Sequence, residues 1–211
     1  MKVKRNLENY ILHLDNFISK ETCEKTLFEM KNINYRQHTF YSSKGESHTR
    51  SGSKELEISY DNVSTKKEIM DRLWHGLKKY MQYLDFHWFD SWQGYSEIRF
   101  NRYSETQKMA FHMDHIHSLF DDKRGIPTLS CVGLLNDDYE GGEFIMFDNH
   151  EIKFKQGDLI IFPSNFLYPH KVEPVTRGKR YSIVTWAKVK GFPSLEQTNR
   201  ELSQRYGVPV I

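Results

Sequence analysis

Cysteine is scarce in this chain: Cys23 and Cys131 are the two present, and no Cys-x-x-Cys pair exists. A zinc knuckle is therefore excluded. The two residues fall in a helical pattern and an apolar strand pattern, which predicts two buried, reduced thiols. Long apolar runs are also missing; none approaches the ~18 residues of a membrane span. The charged start Met1-Lys-Val-Lys-Arg-Asn6 is not followed by an apolar stretch of signal-peptide length. Charge of one sign is lacking too. Thirty Lys and Arg stand against 28 Asp and Glu, net +2, with no long Lys/Arg block. That balance gives no reason to expect a nucleic-acid or membrane partner. The expectation is a soluble, cytoplasmic protein; the sequence does not speak to its oligomeric state. Internal repeats and low-complexity segments are absent. What remains, 211 residues with 38% apolar and 14% aromatic side chains, suffices for one globular domain with its own core.

The pattern along the chain predicts helices first and strands afterwards, mainly β with flanking helices. Tyr10–Leu14 reads as a short strand. Ser19 can cap a helix to about Lys31, although Thr22 stands where a capping box would have Glu or Gln. Ile33 to Tyr41 reads as extended, and the Ser-, Gly- and Lys-rich stretch 42–54 as a loop. Ile69, Leu73, Leu77, Tyr80 and Leu84 recur at helical spacing, with Ser64 or Thr65 as the cap. Short strands are then predicted near Tyr95–Tyr103, Thr128–Leu135, Glu143–Phe147, Glu151–Phe154, Leu159–Phe162, His170–Val175 and Arg180–Val189. Such spacing predicts a sandwich or jelly roll with the helices on one outer face. The organisation expected is one domain over 1–211: helical support about 15–85, a jelly-roll core about 95–189, and a terminal helix about 194–205.

Two constellations carry chemistry. In Phe111-His-Met-Asp-His115, His112 and Asp114 stand two apart, so on a strand both aim at one point. His170 opens a later strand, 56 residues downstream of Asp114. Two His and one carboxylate on one face of a metal suit Fe(II) and leave positions open for O2 and a chelating co-substrate. His115 and His117 read as loop residues on the opposite face. The zinc-protease pattern does not fit, because no Glu follows His112. In Arg180-Tyr-Ser182, Arg180 and Ser182 share a strand face. A guanidinium fork plus a hydroxyl there can grip a carboxylate, such as the distal one of 2-oxoglutarate.

These residues recur with others in a familiar order. Arg99-Phe-Asn-Arg-Tyr103, Phe111-His-Met-Asp114, Leu134-Leu-Asn-Asp-Asp-Tyr-Glu-Gly-Gly-Glu-Phe144, Gly157-Asp-Leu-Ile-Ile-Phe-Pro163 and Arg180-Tyr-Ser-Ile-Val-Thr-Trp186 follow one another along the chain. The segment Glu97 to Trp186 thereby resembles the double-stranded β-helix core of the Fe(II)/2-oxoglutarate dioxygenase superfamily, and most of all its prolyl 4-hydroxylase-like branch. The resemblance implies metal ligands His112, Asp114 and His170, and co-substrate residues Tyr103, Arg180 and Ser182, with Trp186 as a pocket wall. It implies Fe(II), 2-oxoglutarate and O2 as cofactor and co-substrates, with ascorbate in support. Arg180 stands where many animal prolyl hydroxylases have Lys, which argues against a collagen-type enzyme. The family's substrate loop falls near residues 36–58, which include Phe40, Tyr41, Arg50 and Lys54.

The expected activity is hydroxylation of a C–H bond, with a prolyl residue of a peptide or protein as substrate. A free amino acid or other small molecule is the alternative. A cupin-like metal protein without turnover has no use for the Arg180/Ser182 clamp, and a nucleic-acid demethylase is disfavoured by the charge balance.

Overall fold

The computed structural model describes residues 5–41, 47–48, 54–85, 92–114, 126–189 and 204. A 3-10 turn at Leu7–Tyr10 leads into β1 (Leu12–Leu14) and α1 (Lys20–Met30). Short strands β2 (Arg36–Gln37), β3 (Phe40–Tyr41), β4 (Ser47–His48) and β5 (Glu57–Ser59) precede α2 (Lys66–Leu84). Then come β6 (Trp92–Tyr95), β7 (Arg99–Tyr103), β8 (Met109–His112), β9 (Ile126–Leu134), β10 (Glu140–Gly141), β11 (Phe144–Met146) and β12 (His150–Ile152). The last four are β13 (Leu159–Pro163), β14 (His170–Val172), β15 (Val175–Arg177) and β16 (Arg180–Val189).

The large sheet runs β1-β13-β9-β16-β7-β5-β2, with β6 on the far end of β16. The small sheet runs β12-β11-β14-β8, and its pairs are antiparallel. Strand alternation splits the side chains of the large sheet between two cores. Leu129, Cys131, Leu159, Ile161, Ile183 and Ala187 face the helices and meet Ile69, Leu73, Leu77 and Tyr80 of α2. Val132, Ile160, Phe162, Val184 and Trp186 face inward and meet Phe144, Met146 and Val172 of the small sheet. The architecture is a jelly roll with helices on one outer face. Gly76 allows α2 to lie close: a Cβ there would stand 3.1 Å from Leu159 and 3.2 Å from Ile161.

Several expectations hold. Ser19 Oγ accepts the Thr22 amide at 3.1 Å and so caps α1. Cys23 and Cys131 are free and buried, and burial pushes both thiols up to about 12. Among the described residues, no helix is long and apolar enough to cross a membrane.

Other expectations are corrected. Thr65 does not cap α2 with its side chain; its hydroxyl instead meets the Thr26 hydroxyl at 2.6 Å, joining the two helices. Ser64 turns to Glu29. The single strand expected at Tyr95–Tyr103 is two, because β6 and β7 pair with opposite ends of β16. His170–Val175 is also two strands: β14 pairs with β8 and β11, whereas β15 pairs with β10. Pro174 between them has no amide to continue a ladder. Asp114 lies beyond the end of β8, at a bend. The terminal helix expected at 194–205 lies outside the described residues apart from Gln204, as do His115, His117 and Arg50.

Candidate active site

The pairing of β8 with β14 sets His112 directly opposite His170, with ring centroids 4.3 Å apart. Each ring is oriented by a backbone carbonyl two residues upstream. His112 Nδ1 lies 2.8 Å from the Ala110 oxygen, and His170 Nδ1 lies 3.1 Å from the Tyr168 oxygen. A carbonyl only accepts, so Nδ1 carries the proton and each Nε2 presents a lone pair. Both Nε2 atoms point at Asp114: His112 Nε2 is 3.5 Å from Oδ1, and His170 Nε2 is 3.8 Å from Oδ2. Phe144 stacks on the His170 ring at 5.2 Å and Phe162 meets its edge. These aromatic contacts fix the ring without competing for its nitrogen.

Asp114 and His170 are 4% exposed, so their protonation is set by burial and neighbours. Burial, with His112 alongside, pushes the His170 imidazole down to about 4, leaving it neutral and free to ligate. Burial works against charge on Asp114, but His170, His112 and the Ser130 hydroxyl outweigh it and hold the carboxyl well below its usual range. Ser130 Oγ donates to Asp114 Oδ2 at 2.6 Å and contacts Ser164 Oγ at 2.9 Å. One ligand atom from each of His112, Asp114 and His170 lies within 4.8 Å of the other two. Two neutral imidazoles and a carboxylate converging this closely suit a divalent metal of the Fe(II) type.

The facing wall of the same chamber belongs to the large sheet and bears Tyr103 and Asn101 on β7 and Arg180 and Ser182 on β16. Arg180 is 1% exposed. Its Nη1 donates to Ser182 Oγ at 3.1 Å, and Asn101 Nδ2 donates to the same hydroxyl at 3.3 Å. Arg180 Nε and Nη2 are buried with no hydrogen-bond partner among the described residues. Its guanidinium lies 5.1 Å from the Tyr103 ring centre and 5.7 Å from that of Phe154. A buried, ion-unpaired guanidinium is costly, and among the described residues the chamber supplies no carboxylate to it. A bound dicarboxylate would. Gly142 leaves Arg180 its place: a Cβ there would stand 3.0 Å from Arg180 Cδ, and φ is +67°. Burial raises the Tyr103 phenol, which Arg180 and Arg99 only partly offset, so it stays a neutral O–H donor.

All six residues singled out in the sequence thus line one chamber. Trp186 borders an adjoining space, together with Arg36, His38, Thr39 and Ile58 of the segment expected to form a substrate loop. Lys54 lines neither space. Sequence reasoning overlooked Ser130, Asn101, Arg99 and His38. A signal was available for three of them. Arg99 and Asn101 share Tyr103's strand face, and Ser130 is a polar residue at an inward position of an apolar strand.

Residues 98–188 match the model of the 2OG-Fe(II) oxygenase superfamily. A PKHD-type hydroxylase of Xylella fastidiosa is 45% identical over 101 residues, which cover 43% of each chain. The chain therefore spans less than half the length of the curated relatives it matches. A prolyl-4-hydroxylase crystal structure from Pseudomonas putida shares the fold at TM-score 0.61 and 19% identity, over 86% of this chain and 93% of that one. A Trichoplax adhaerens prolyl hydroxylase, solved in complex with a hypoxia inducible factor oxygen degradation domain peptide fragment, has TM-score 0.63 and 15% identity, covering 86% and 84%.

Proposed function

We propose that this chain, whose residues 98–188 match the 2OG-Fe(II) oxygenase superfamily model, is an Fe(II)- and 2-oxoglutarate-dependent dioxygenase of the prolyl 4-hydroxylase-like branch that hydroxylates a prolyl residue of a peptide or protein. The observation that carries the reading is one chamber holding both halves of the required equipment. Converging His112, Asp114 and His170 lie on one wall, and a buried Arg180 with free N–H groups lies on the other.

His112, Asp114 and His170 would hold the metal. Arg180 and Ser182 would take the distal carboxylate of 2-oxoglutarate, with the Tyr103 hydroxyl as a further donor. When bound, Fe(II) and the keto acid let O2 deliver one oxygen atom to a C–H bond, the other leaving in succinate with release of CO2. The protein's part is orientation and exclusion of water, for which Val132, Phe144 and Val184 supply apolar walls. The prolyl substrate rests on likeness to the branch, and the solved relative bound to a peptide supports it.

The test is succinate formation from 2-oxoglutarate with Fe(II) and ascorbate, for wild type and for Asp114→Ala. Wild-type turnover that the variant lacks is expected. Absence of 2-oxoglutarate binding to the Fe(II)-loaded wild type would sink the reading.

A further inference from the structure

The adjoining space shares Arg99, His112 and Asp114 with the metal chamber and is bounded on its other side by Arg36, His38 and Trp186. Its donors and acceptors do not balance. Arg99 is 9% exposed. Its Nε donates to Asn101 Oδ1 at 2.9 Å, and its guanidinium lies 5.2 Å from the Trp186 ring centre. Among the described residues, the rest of that guanidinium has no hydrogen bond, and no carboxylate oxygen comes within 4.0 Å of it. Trp186 is 7% exposed, and its indole Nε1, a group that can only donate, is buried with no partner among the described residues. Arg36 adds a second cation at the exposed rim.

Against these donors the described residues of the lining offer one carboxylate, Asp114, which is already turned to His112, His170 and Ser130. Glu55 is buried in the same region, but it accepts the Ala110 amide and does not line the space. His38 cannot compensate the charge, because an imidazole is neutral or positive; burial, with Arg99 beside it, pushes it down to about 3 and keeps it neutral. A neutral carbonyl could answer the hydrogen bonds but not the buried positive charge. A prolyl ring could answer neither. A carboxylate answers both, because a guanidinium fork matches its two oxygens.

We propose that Arg99 and Trp186 receive a carboxylate of the substrate next to the carbon that reacts, so that the substrate is anionic at that point. The proposal rests on the oxygenase reading above for the meaning of "substrate", but the anion site stands on its own residues. The carboxylate can come from two sources: the residue's own C-terminus, in a chain-terminal or free imino acid, or an acidic side chain beside the prolyl residue in a peptide.

Binding is measured first, on protein loaded with Mn(II) and 2-oxoglutarate, by calorimetric titration. The probes are N-acetylproline against its amide, and N-acetyl-prolyl-glutamate amide against the glutamine equivalent. We expect one anionic member to bind on the order of tenfold or more tightly than its neutral partner. Preference in the first pair identifies a terminal carboxylate, and preference in the second an acidic neighbour. Arg99→Met should abolish the preference and leave the affinity for the neutral member in place. Arg99→Lys, which keeps the charge without the planar fork, should recover part of it, and cooperative unfolding of both variants checks their folding. If wild type binds charged and neutral members equally, or binds neither pair, the proposal is overturned. It is also overturned if Arg99→Met weakens both members alike, which is what a merely structural arginine would do. Failure of the oxygenase reading looks different: 2-oxoglutarate does not bind, whatever Arg99 does to the carboxylate probes.

Discussion

The two imidazoles and one carboxylate are useful only because other groups hold them still. Ala110 and Tyr168 carbonyls set the tautomers of His112 and His170, while Ser130 fixes Asp114. Ser130→Ala removes the 2.6 Å bond to Asp114 Oδ2 and leaves the carboxylate free to rotate. Loss of such an orienting partner typically costs 10–100-fold in metal affinity. We expect Mn(II) or Fe(II) to bind at least ~10-fold more weakly to Ser130→Ala, with thermal stability of the metal-free protein changed by no more than about 1–2 kcal/mol. Unaltered metal affinity on titration would show that Ser130 serves Ser164 rather than Asp114. His112, Asp114 and His170 were legible because their types and spacing match a metal's needs. Ser130 left only an ambiguous signal, since a polar residue at an inward position within Leu129–Val132 is equally well explained by local hydrogen bonding within the sheet.

Among the elements, the turn between β12 and β13 ties the core to the start of the helical layer. Gly157 (φ +88°) brings its backbone so close to Ile18 that a Cβ would stand 2.4 Å from the Ile18 oxygen. Next to it, Asp158 accepts the Asn16 amide at 2.9 Å, the Lys155 amide at 2.8 Å and His13 Nε2 at 2.9 Å. Burial raises the Asp158 carboxyl, but these bonds outweigh it and hold it below its ordinary value. A depressed carboxyl contributes stability that is complete above its unfolded value, about 3.9, and is lost as pH falls through the folded value. Asp158→Asn should therefore cost about 1–3 kcal/mol near neutrality. The gap from wild type should close on acidification below about pH 4. Denaturant melts across that window check it; a gap independent of pH would mean that Asp158 acts by shape alone. The helix boundaries were legible from period and cap, as Ser19 shows. The switch of Thr65 from cap to helix–helix contact was not, because its partner Thr26 is 39 residues away.

Across the whole molecule the candidate site lies between two sheets, with the proposed metal ligands on and just beyond β8 and β14 of the small one and the proposed carboxylate clamp on the large one. Ligands that bridge them should stabilise the folded state by linkage, about 2.7 kcal/mol at a hundredfold excess over Kd, or roughly 5–10 °C in Tm. We expect Mn(II) with 2-oxoglutarate to raise Tm on this scale, and Arg180→Met to keep the metal's increment while losing that of 2-oxoglutarate. Without ligands Arg180→Met should be no less stable than wild type, since it removes an unpaired buried charge. A 2-oxoglutarate increment that survives in the variant would place the clamp elsewhere. Before any coordinates, alternation of apolar residues predicted the jelly roll and its helical face, residue types and spacing predicted His112, Asp114, His170, Arg180 and Ser182, and the family resemblance added Tyr103. These signals are local in the chain: a period of two, a spacing, a residue type matched to a ligand. Tertiary structure alone decided that Asp114 reaches the histidines from beyond its strand, that Ser130 holds it, and that Arg99 and Trp186 line one space with His112 and Asp114. Each of those depends on which strands become neighbours across the two sheets, and that pairing is set by burial of the whole core rather than by any segment of the chain.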